Sequence, residues 1–231
     1  MAKGTFLHPL IQPEGLANPP VVFFEDFLQG PEPSATADAA SFLMSGTSAA
    51  TAFADDERNG VITAVSNSTN PLSLQGNGEP FRLTSSNSIY FETRINLTDH
   101  DGMSWFAGLA ITDTSVWSGA LTDYVGFFGA NEVNINYGTG KDNDAVPGSG
   151  TTGETDADSG QDAADDTWMI LSFRTVGTSQ VRFFVDGTFV GSSSTNLPDN
   201  EDLTATIDFL GSGETVDIDY VLVVGDRDIA T

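Results

Sequence analysis

Apolar and polar residues alternate along much of the chain after residue 20. In the segment 89–96 the odd positions, such as Ile89 and Phe91, are mainly apolar, and the even positions, such as Tyr90 and Glu92, are polar or amphipathic. A period of two residues is typical of a β-strand with one buried face. The stretch 105–111 is apolar at nearly every position, which predicts a central strand covered on both sides.

The same reading along the whole chain predicts about a dozen short strands separated by turn signals such as Asn59-Gly60 and Asp186-Gly187. The predicted strands are 21–28, 61–65, 89–96, 105–111, 124–128, 132–137, 167–174, 180–186, 189–191, 204–210 and 214–224. The last of them is predicted to bury one face formed by Val216, Ile218, Tyr220, Leu222 and Val224. Because no long helical pattern interrupts the series, the fold class is predicted as all-β, an antiparallel two-sheet sandwich in one domain over 21–231.

Two segments depart from the strand pattern. Residues 1–20 contain four prolines, which oppose regular helix and predict an extended N-terminal arm. The arm's apolar residues would contact either its own domain or a neighbouring protein, and they are Phe6, Leu7, Leu10, Ile11 and Leu16. The segment 138–166 is dominated by Gly, Ser, Thr, Asp and Ala, and it predicts a long, mobile, acidic loop.

The charge balance excludes some partners. The 231 residues include 8 Lys and Arg against 33 Asp and Glu, for a formal net charge of −25. Such a surface repels phosphates, so neither nucleic acid nor an anionic membrane is expected as a partner. With 39% hydrophobic residues the chain still has the material for a substantial core. No apolar stretch near residue 1 fits a secretory signal and none is long enough to span a membrane, so we expect a soluble protein.

The sequence predicts no catalytic, cofactor-binding or metal site. The absence of cysteine excludes thiol catalysis, and two histidines offer little for a triad or a His-rich metal centre. Asp217 and Asp219 share a strand face, as a pair of acids for glycoside hydrolysis would require, but position 221, where a third acid would extend the row, is Val221. Glu92 is interpreted as an ion-pair partner of Arg94. The acidic groups at 142–144 and 156–162 lack the spacing of a calcium-binding loop.

Aromatic residues in a loop offer a different chemistry. Trp117 and Tyr124, at and after the loop 112–123, are candidates for stacking against a sugar ring. The competing interpretation is that Trp117 covers the protein's own core.

Several motifs resemble those of a known fold family. The pattern W-x-x-L-x-F-R at 168–174 precedes V-x-F-x-V-D-G-x-x-V-G at 181–191, and I-Y-F-E-T-R-I lies at 89–95. Together they resemble the concanavalin A-like lectin/glucanase jelly roll, in which a strand led by Trp is followed by a hairpin closing on Val-Asp-Gly. The chain departs from the sugar-cleaving branch, because it has no E-x-D-x-x-E ladder. It also lacks the metal-binding loop of the legume lectins.

More narrowly, the order of several motifs resembles virion proteins of tailed phages from marine habitats. These motifs are F-F-E-D-F at 23–27, G-V-I at 60–62, Y-F-E-T-R-I at 90–95, G-L-A-I-T-D-T at 108–114, A-D-D-T-W at 164–168 and T-N-L-P-D at 195–199. The resemblance implies a non-enzymatic capsid decoration (cement) protein on the virion surface. It would bind the major capsid protein or another virion protein, as a homo-oligomer and without a cofactor. The alternative is a lectin-like module that attaches to glycans.

Overall fold

The computed structural model describes residues 20–27, 42–45, 50–53, 60–66, 71–112, 116–118, 121–142, 146–150, 152–199 and 201–226. The predicted arm, with its apolar residues Phe6, Leu7, Leu10, Ile11 and Leu16, lies outside them apart from residue 20. Apart from one short 3-10 helix, Val116–Ser118, the regular structure in this part of the chain is β-strand. The predicted all-β fold class is confirmed.

Sixteen strands are present in the described residues. In chain order they are β1 Val21–Glu25, β2 Phe42–Ser45, β3 Ala50–Phe53, β4 Ile62–Val65, β5 Leu72–Gly76, β6 Phe81–Arg82, β7 Ile89–Leu97, β8 Met103–Ala110, β9 Tyr124–Ala130, β10 Asn134–Gly140, β11 Glu154–Asp162, β12 Thr167–Val176, β13 Gln180–Val185, β14 Thr188–Ser193, β15 Asp202–Gly211 and β16 Thr215–Gly225.

The strands form two eight-stranded antiparallel sheets. Sheet A has the order β14-β13-β12-β7-β16-β4-β3, with β1 also paired to β16. Sheet B has the order β11-β10-β9-β8-β15-β5-β2, with β6 also paired to β15. β4 pairs with residues 215–218 of β16, and β1 pairs with residues 221–225. The two short strands therefore share one side of β16 and extend sheet A at different levels.

A single large core lies between the sheets and is rich in aromatic rings. Phe127 of sheet B meets Phe183 of sheet A edge to face, with 5.4 Å between ring centroids. Phe91 and Phe173 stack on neighbouring strands of sheet A at 5.1 Å. All four side chains are essentially inaccessible to solvent. Truncating such a ring to alanine typically costs about 3–5 kcal/mol of stability, so this layer holds the sandwich together.

The hairpin predicted at Asp186-Gly187 is confirmed. These two residues alone connect β13 to β14, and their φ angles are 48° and 73°. Positive φ at both central positions is the type I′ turn whose twist matches that of the flanking strands. The Asp186 carboxylate also accepts a hydrogen bond from the backbone N–H of Ile170 at 2.8 Å, which ties the hairpin to β12.

The prediction of a long loop at 138–166 is wrong. β10 continues to Gly140, and β11 occupies residues 154–162 as the edge strand of sheet B. Only Ala157 of this strand packs against the core. An edge strand with polar residues on both faces has no apolar alternation to reveal it. Its charges also discourage pairing with another chain.

The predicted inner face of the last strand is wrong beyond residue 218. A β-bulge lies between Ile218 and Tyr220, where the register against β7 shifts by one residue. Because the side-chain period of a strand is two, one extra residue reverses the faces that follow. Val221 and Val223 are therefore buried, and Tyr220 lies on the outer face of sheet A.

Candidate functional site

Glu92 lies at the centre of the outer face of sheet A. One of its carboxylate oxygens accepts a hydrogen bond from the hydroxyl of Tyr220 at 2.8 Å, and the other accepts one from the hydroxyl of Tyr90. Tyr90 lies two residues away on β7, and Tyr220 comes from the neighbouring strand β16. We call these three residues the Glu92 cluster.

The two phenols of the cluster keep their protons. Partial burial, followed by the neighbouring Glu92 carboxylate, raises the pKa of both Tyr90 and Tyr220 well above that of a free tyrosine. Both hydroxyls therefore remain donors over the ordinary pH range and hold the carboxylate in place. Each carboxylate oxygen has a further lone pair, so Glu92 remains able to accept hydrogen bonds from a ligand.

Arg94 does not pair with Glu92, so the predicted ion pair is wrong. Its guanidinium donates to the Asp219 carboxylate at 2.7 Å, and its central carbon lies 4.2 Å from the centre of the Trp168 ring. Asp219 is the residue inserted by the bulge in β16. The bulge therefore brings both Asp219 and Tyr220 to the outer face, a recurring use of bulges next to functional sites.

Asp217 and Asp219 share the outer face, as the sequence predicted. Each already has a protein partner: Asp217 accepts a hydrogen bond from the Thr63 hydroxyl at 2.6 Å, and Asp219 pairs with Arg94. The two carboxylates therefore link β16 to its neighbouring strands, and neither is an unpaired acid of the kind that catalysis would require.

The Glu92 cluster lies in a row of side chains that crosses the sheet. The strand registers place six residues opposite one another on adjacent strands, and in order they are Phe24, Leu222, Glu92, Ser172, Phe184 and Phe189. At one end Phe24 is 56% exposed, and at the other Phe189 is 51% exposed. Phe24 contacts the Tyr220 ring at 6.5 Å between centroids, and Phe189 meets Phe184 at 5.7 Å. The row spans five strand spacings, or roughly 24 Å. We call this surface the open face.

The outer face of sheet B, which we call the covered face, carries a second apolar cluster. Its buried members are Phe106, Ala110, Val116, Leu121, Tyr124 and Phe128. The short 3-10 helix lies against it, and the backbone N–H of Val116 donates to Asp208 at 3.2 Å. The segment 146–150 also contacts this cluster, because Gly148 lies so close to Phe128 that a Cβ would clash with its ring at 2.7 Å.

The predicted sugar-stacking residues both belong to the covered face. Tyr124 is fully buried and donates its hydroxyl to Glu154, so its ring offers no surface to a sugar, and this part of the prediction is corrected. Trp117 is half-buried and packs against the second cluster, in agreement with the competing interpretation that it covers the core. The exposed aromatic residues Phe24 and Phe189 were not identified as candidates from the sequence.

Other chemistry-bearing groups are scattered in the described part of the chain. His100 is largely buried, and its Nδ1 lies 2.6 Å from an oxygen of Asp165. Within the described residues, no three acidic or histidine side chains are arranged to hold a metal ion. No described helix is long and apolar enough to cross a membrane.

The sequence matches no protein-family model and no curated protein. Solved structures are nonetheless similar over nearly the whole chain. A protein of unknown function from Shewanella oneidensis MR-1 aligns over 100% of both chains with a TM-score of 0.64 and 13% identity. An endo-1,3-β-glucanase from Streptomyces sioyaensis aligns over 94% of this chain and 100% of its own (TM-score 0.55, 11% identity). The Emp47p carbohydrate recognition domain aligns over 78% and 89% (TM-score 0.54, 10% identity). The fold is the concanavalin A-like jelly roll of lectins and glucanases.

This fold corrects the prediction that the chain is not an enzyme. Endo-1,3-β-glucanases and a lichenase, which are glycoside hydrolases, share the jelly roll with carbohydrate recognition domains. The missing E-x-D-x-x-E ladder therefore does not exclude an enzyme, and the prediction is wrong. Fold alone does not assign an activity, which depends on the groups that line the site.

Proposed function

We propose that this protein is a carbohydrate-binding domain that holds an extended glycan across the open face. The observation that carries the proposal is the row from Phe24 to Phe189, with an exposed aromatic ring at each end and the Glu92 cluster between them. The proposal is also supported by structural similarity to a carbohydrate recognition domain and to an endo-1,3-β-glucanase, because the names of both proteins indicate a carbohydrate ligand or substrate.

The chemistry of the row suits a sugar chain. An aromatic ring offers a flat apolar surface to the C–H face of a pyranose, and Phe24 and Phe189 each leave about half of their surface exposed. Glu92 accepts hydrogen bonds from sugar hydroxyls, and its two tyrosines fix its position before the ligand arrives. A site that is fixed in advance loses less conformational entropy on binding.

A glycan array probed with the wild type and two variants tests the proposal. Phe24→Ala and Phe189→Ala should each weaken binding about tenfold, which corresponds to about 1.4 kcal/mol. Val133→Ala is the matched control, since Val133 is an exposed apolar residue at the turn between β9 and β10. Unchanged binding in both phenylalanine variants, or no binding to any glycan by the wild type, would overturn the proposal. The same incubations report hydrolysis, if shorter oligosaccharides appear.

A second proposal is the virion role implied by the resemblance to phage proteins. It is supported by Val22 and Phe24, which are 46% and 56% exposed on β1, the strand that follows the predicted arm 1–20. Exposed apolar residues that follow an apolar segment in the sequence suit attachment to another protein surface.

Co-sedimentation with assembled phage capsids tests this second proposal. We expect the wild type to sediment with capsids, and more strongly as salt or divalent cations screen the repulsion between acidic copies. A chain lacking residues 1–20 should remain in the supernatant. Equal sedimentation of the shortened chain would remove the arm from the mechanism, and no sedimentation of the wild type would remove the virion role.

A further inference from the structure

We infer that the glycan bound on the open face is anionic and that Arg174 and Arg182 bind its sulfate or carboxylate groups. This inference rests on the carbohydrate-binding function proposed above and adds the ligand class. Among the Lys and Arg residues that the structure describes, three lie on the outer face of sheet A: Arg94, Arg174 and Arg182.

Arg174 and Arg182 differ from the other described cations. Arg82, Arg94 and Lys141 each form an ion pair, with Asp202, Asp219 and Asp199 respectively. Within the described residues, neither Arg174 nor Arg182 forms an ion pair, although the chain has 33 acidic residues. Because acidic residues greatly outnumber basic ones, each exposed arginine would be expected to have an acidic partner. Arg174 and Arg182 have none among the described residues.

The two arginines are also neighbours. Arg174 of β12 lies directly opposite Arg182 of β13 in the strand register, and both side chains are exposed on the same face. Like charges directly opposite each other destabilise a sheet. The next residues in this row are Tyr90 and Ser192, and neither carries a charge. The arrangement therefore concentrates positive charge at one place, at some cost to the fold.

The pair lies in the position a glycan substituent would need. Its row is two residues along the strands from the row that contains Glu92, a distance of roughly 7 Å. The guanidinium carbon of Arg182 lies 5.4 Å from the centre of the Phe189 ring, so the arginine sits beside the aromatic end of the glycan row. A planar guanidinium binds a sulfate or carboxylate through two parallel hydrogen bonds.

The acidic residues on the rest of the open face determine which end of the row the anionic group of the glycan occupies. Glu92, Asp217 and Asp219 lie toward β16, away from the arginine pair. Their negative charge disfavours an anionic substituent there, and Glu92 accepts hydrogen bonds from neutral hydroxyls. The overall charge of −25 does not prevent binding, because at physiological ionic strength charges are screened beyond about 8 Å.

A second copy of this acidic chain, or another acidic protein, would also complement two arginines. The exposed rings at both ends of the row favour the glycan, because they match a long, narrow ligand that crosses the strands. Protein association on this face is therefore an alternative outcome of the test.

Binding to three polymers at the same ionic strength tests the inference: sulfated carrageenan, the uronate polymer alginate, and neutral laminarin. We expect the wild type to prefer one or both acidic polymers. Comparing carrageenan with alginate distinguishes binding of sulfate from binding of carboxylate. Arg174→Gln and Arg182→Gln should each lower affinity for the acidic polymer about tenfold, as expected for lost hydrogen bonds to a charged group. Arg82→Gln, which removes an exposed arginine of the sheet B side, is the control and should leave binding unchanged.

Each outcome is decisive. A preference for an acidic polymer that is lost in the double variant, which combines Arg174→Gln with Arg182→Gln, supports the inference. Equal binding of laminarin and the acidic polymers, unaffected by the arginine variants, overturns it and leaves the carbohydrate-binding function standing. Binding to no polymer overturns both. Self-association or binding to an acidic protein that the double variant abolishes, without polymer binding, assigns the arginines to a protein partner and also overturns the inference.

Discussion

The two outer faces of the sandwich use the same kind of antiparallel sheet for opposite purposes. On the covered face, Phe106, Tyr124 and Phe128 point away from the main core and are buried again beneath chain segments that lie outside the sheet. On the open face, the outer side chains of β7 and β16 form the Glu92 cluster, and aromatic rings remain exposed at both ends of its row.

This difference shows why the fold alone does not locate the site. Both faces carry aromatic and acidic side chains, and in both a tyrosine donates to a glutamate: Tyr124 to Glu154 and Tyr220 to Glu92. What distinguishes them is access. The covered face uses its aromatic residues for stability, and the open face leaves them available to a ligand.

The largest expected effect comes from truncating one phenylalanine on each face. Phe106→Ala should lower the free energy of unfolding by about 3–5 kcal/mol, because the ring is fully buried in the second cluster. Phe24→Ala should change it by less than about 1 kcal/mol, because the ring is half exposed. Urea unfolding measures both. Equal losses would show that Phe24 is also part of a packed layer, and the contrast between the faces would disappear.

A smaller effect is expected from removing one hydroxyl on each face. Tyr124→Phe should cost about 1–3 kcal/mol, since it removes a hydrogen bond from a fully buried ring to a charged carboxylate, although the backbone N–H groups of Gly148 and Gly150 still donate to Glu154. Tyr220→Phe should cost about 1 kcal/mol or less in stability, because water replaces the lost donor to Glu92. Its larger effect should be on glycan affinity. If Tyr220→Phe destabilises the protein as much as Tyr124→Phe, the Glu92 cluster is structural.

The smallest effect concerns an acid at the margin of the covered face. Burial, as the main cause, raises the pKa of Asp123 above its ordinary value; the negative charges of Glu201 and Asp142 raise it further, and a hydrogen bond from Thr122 acts in the opposite direction. A carboxyl whose pKa is raised on folding destabilises the folded state above that raised pKa. The penalty fades as pH falls toward the unfolded value of 3.8.

Asp123→Asn should therefore be more stable than the wild type at pH 7, with the advantage disappearing near pH 3–4. Thermal unfolding across this range measures the difference. An advantage that is constant with pH, or a loss at pH 7, would show that the ionised carboxylate is favourably paired.

Much of the fold was predictable because period-two alternation is strong where a strand has one buried face. β7 and the hairpin between β13 and β14 were identified for this reason. β11 was missed because an acidic edge strand has no apolar side, and the short strands β2, β3, β5 and β6 were not predicted either. Three of them pair with strands that are distant in sequence, since β5 and β6 pair with β15 and β2 pairs with β5, whereas β3 pairs with the nearby β4.

The candidate site was predicted only in fragments. Glu92, Arg94 and Asp219 were identified as charged outer residues, but their pairing depended on the bulge at Asp219, which no local sequence signal marks. The chosen aromatic residues, Trp117 and Tyr124, lay in a loop and at the strand that follows it, where exposure depends on tertiary contacts. Phe24 and Phe189 were read simply as parts of strands, although they are the exposed ones.

The most direct test is to follow aromatic NMR signals of both faces during titration with laminarin and carrageenan oligosaccharides. If the open face binds glycans, the ring signals of Phe24, Phe189 and Tyr220 should shift with ligand concentration and those of Phe106 and Tyr124 should not. Shifts confined to Phe106 and Tyr124, with no change on the open face, would contradict glycan binding on the open face.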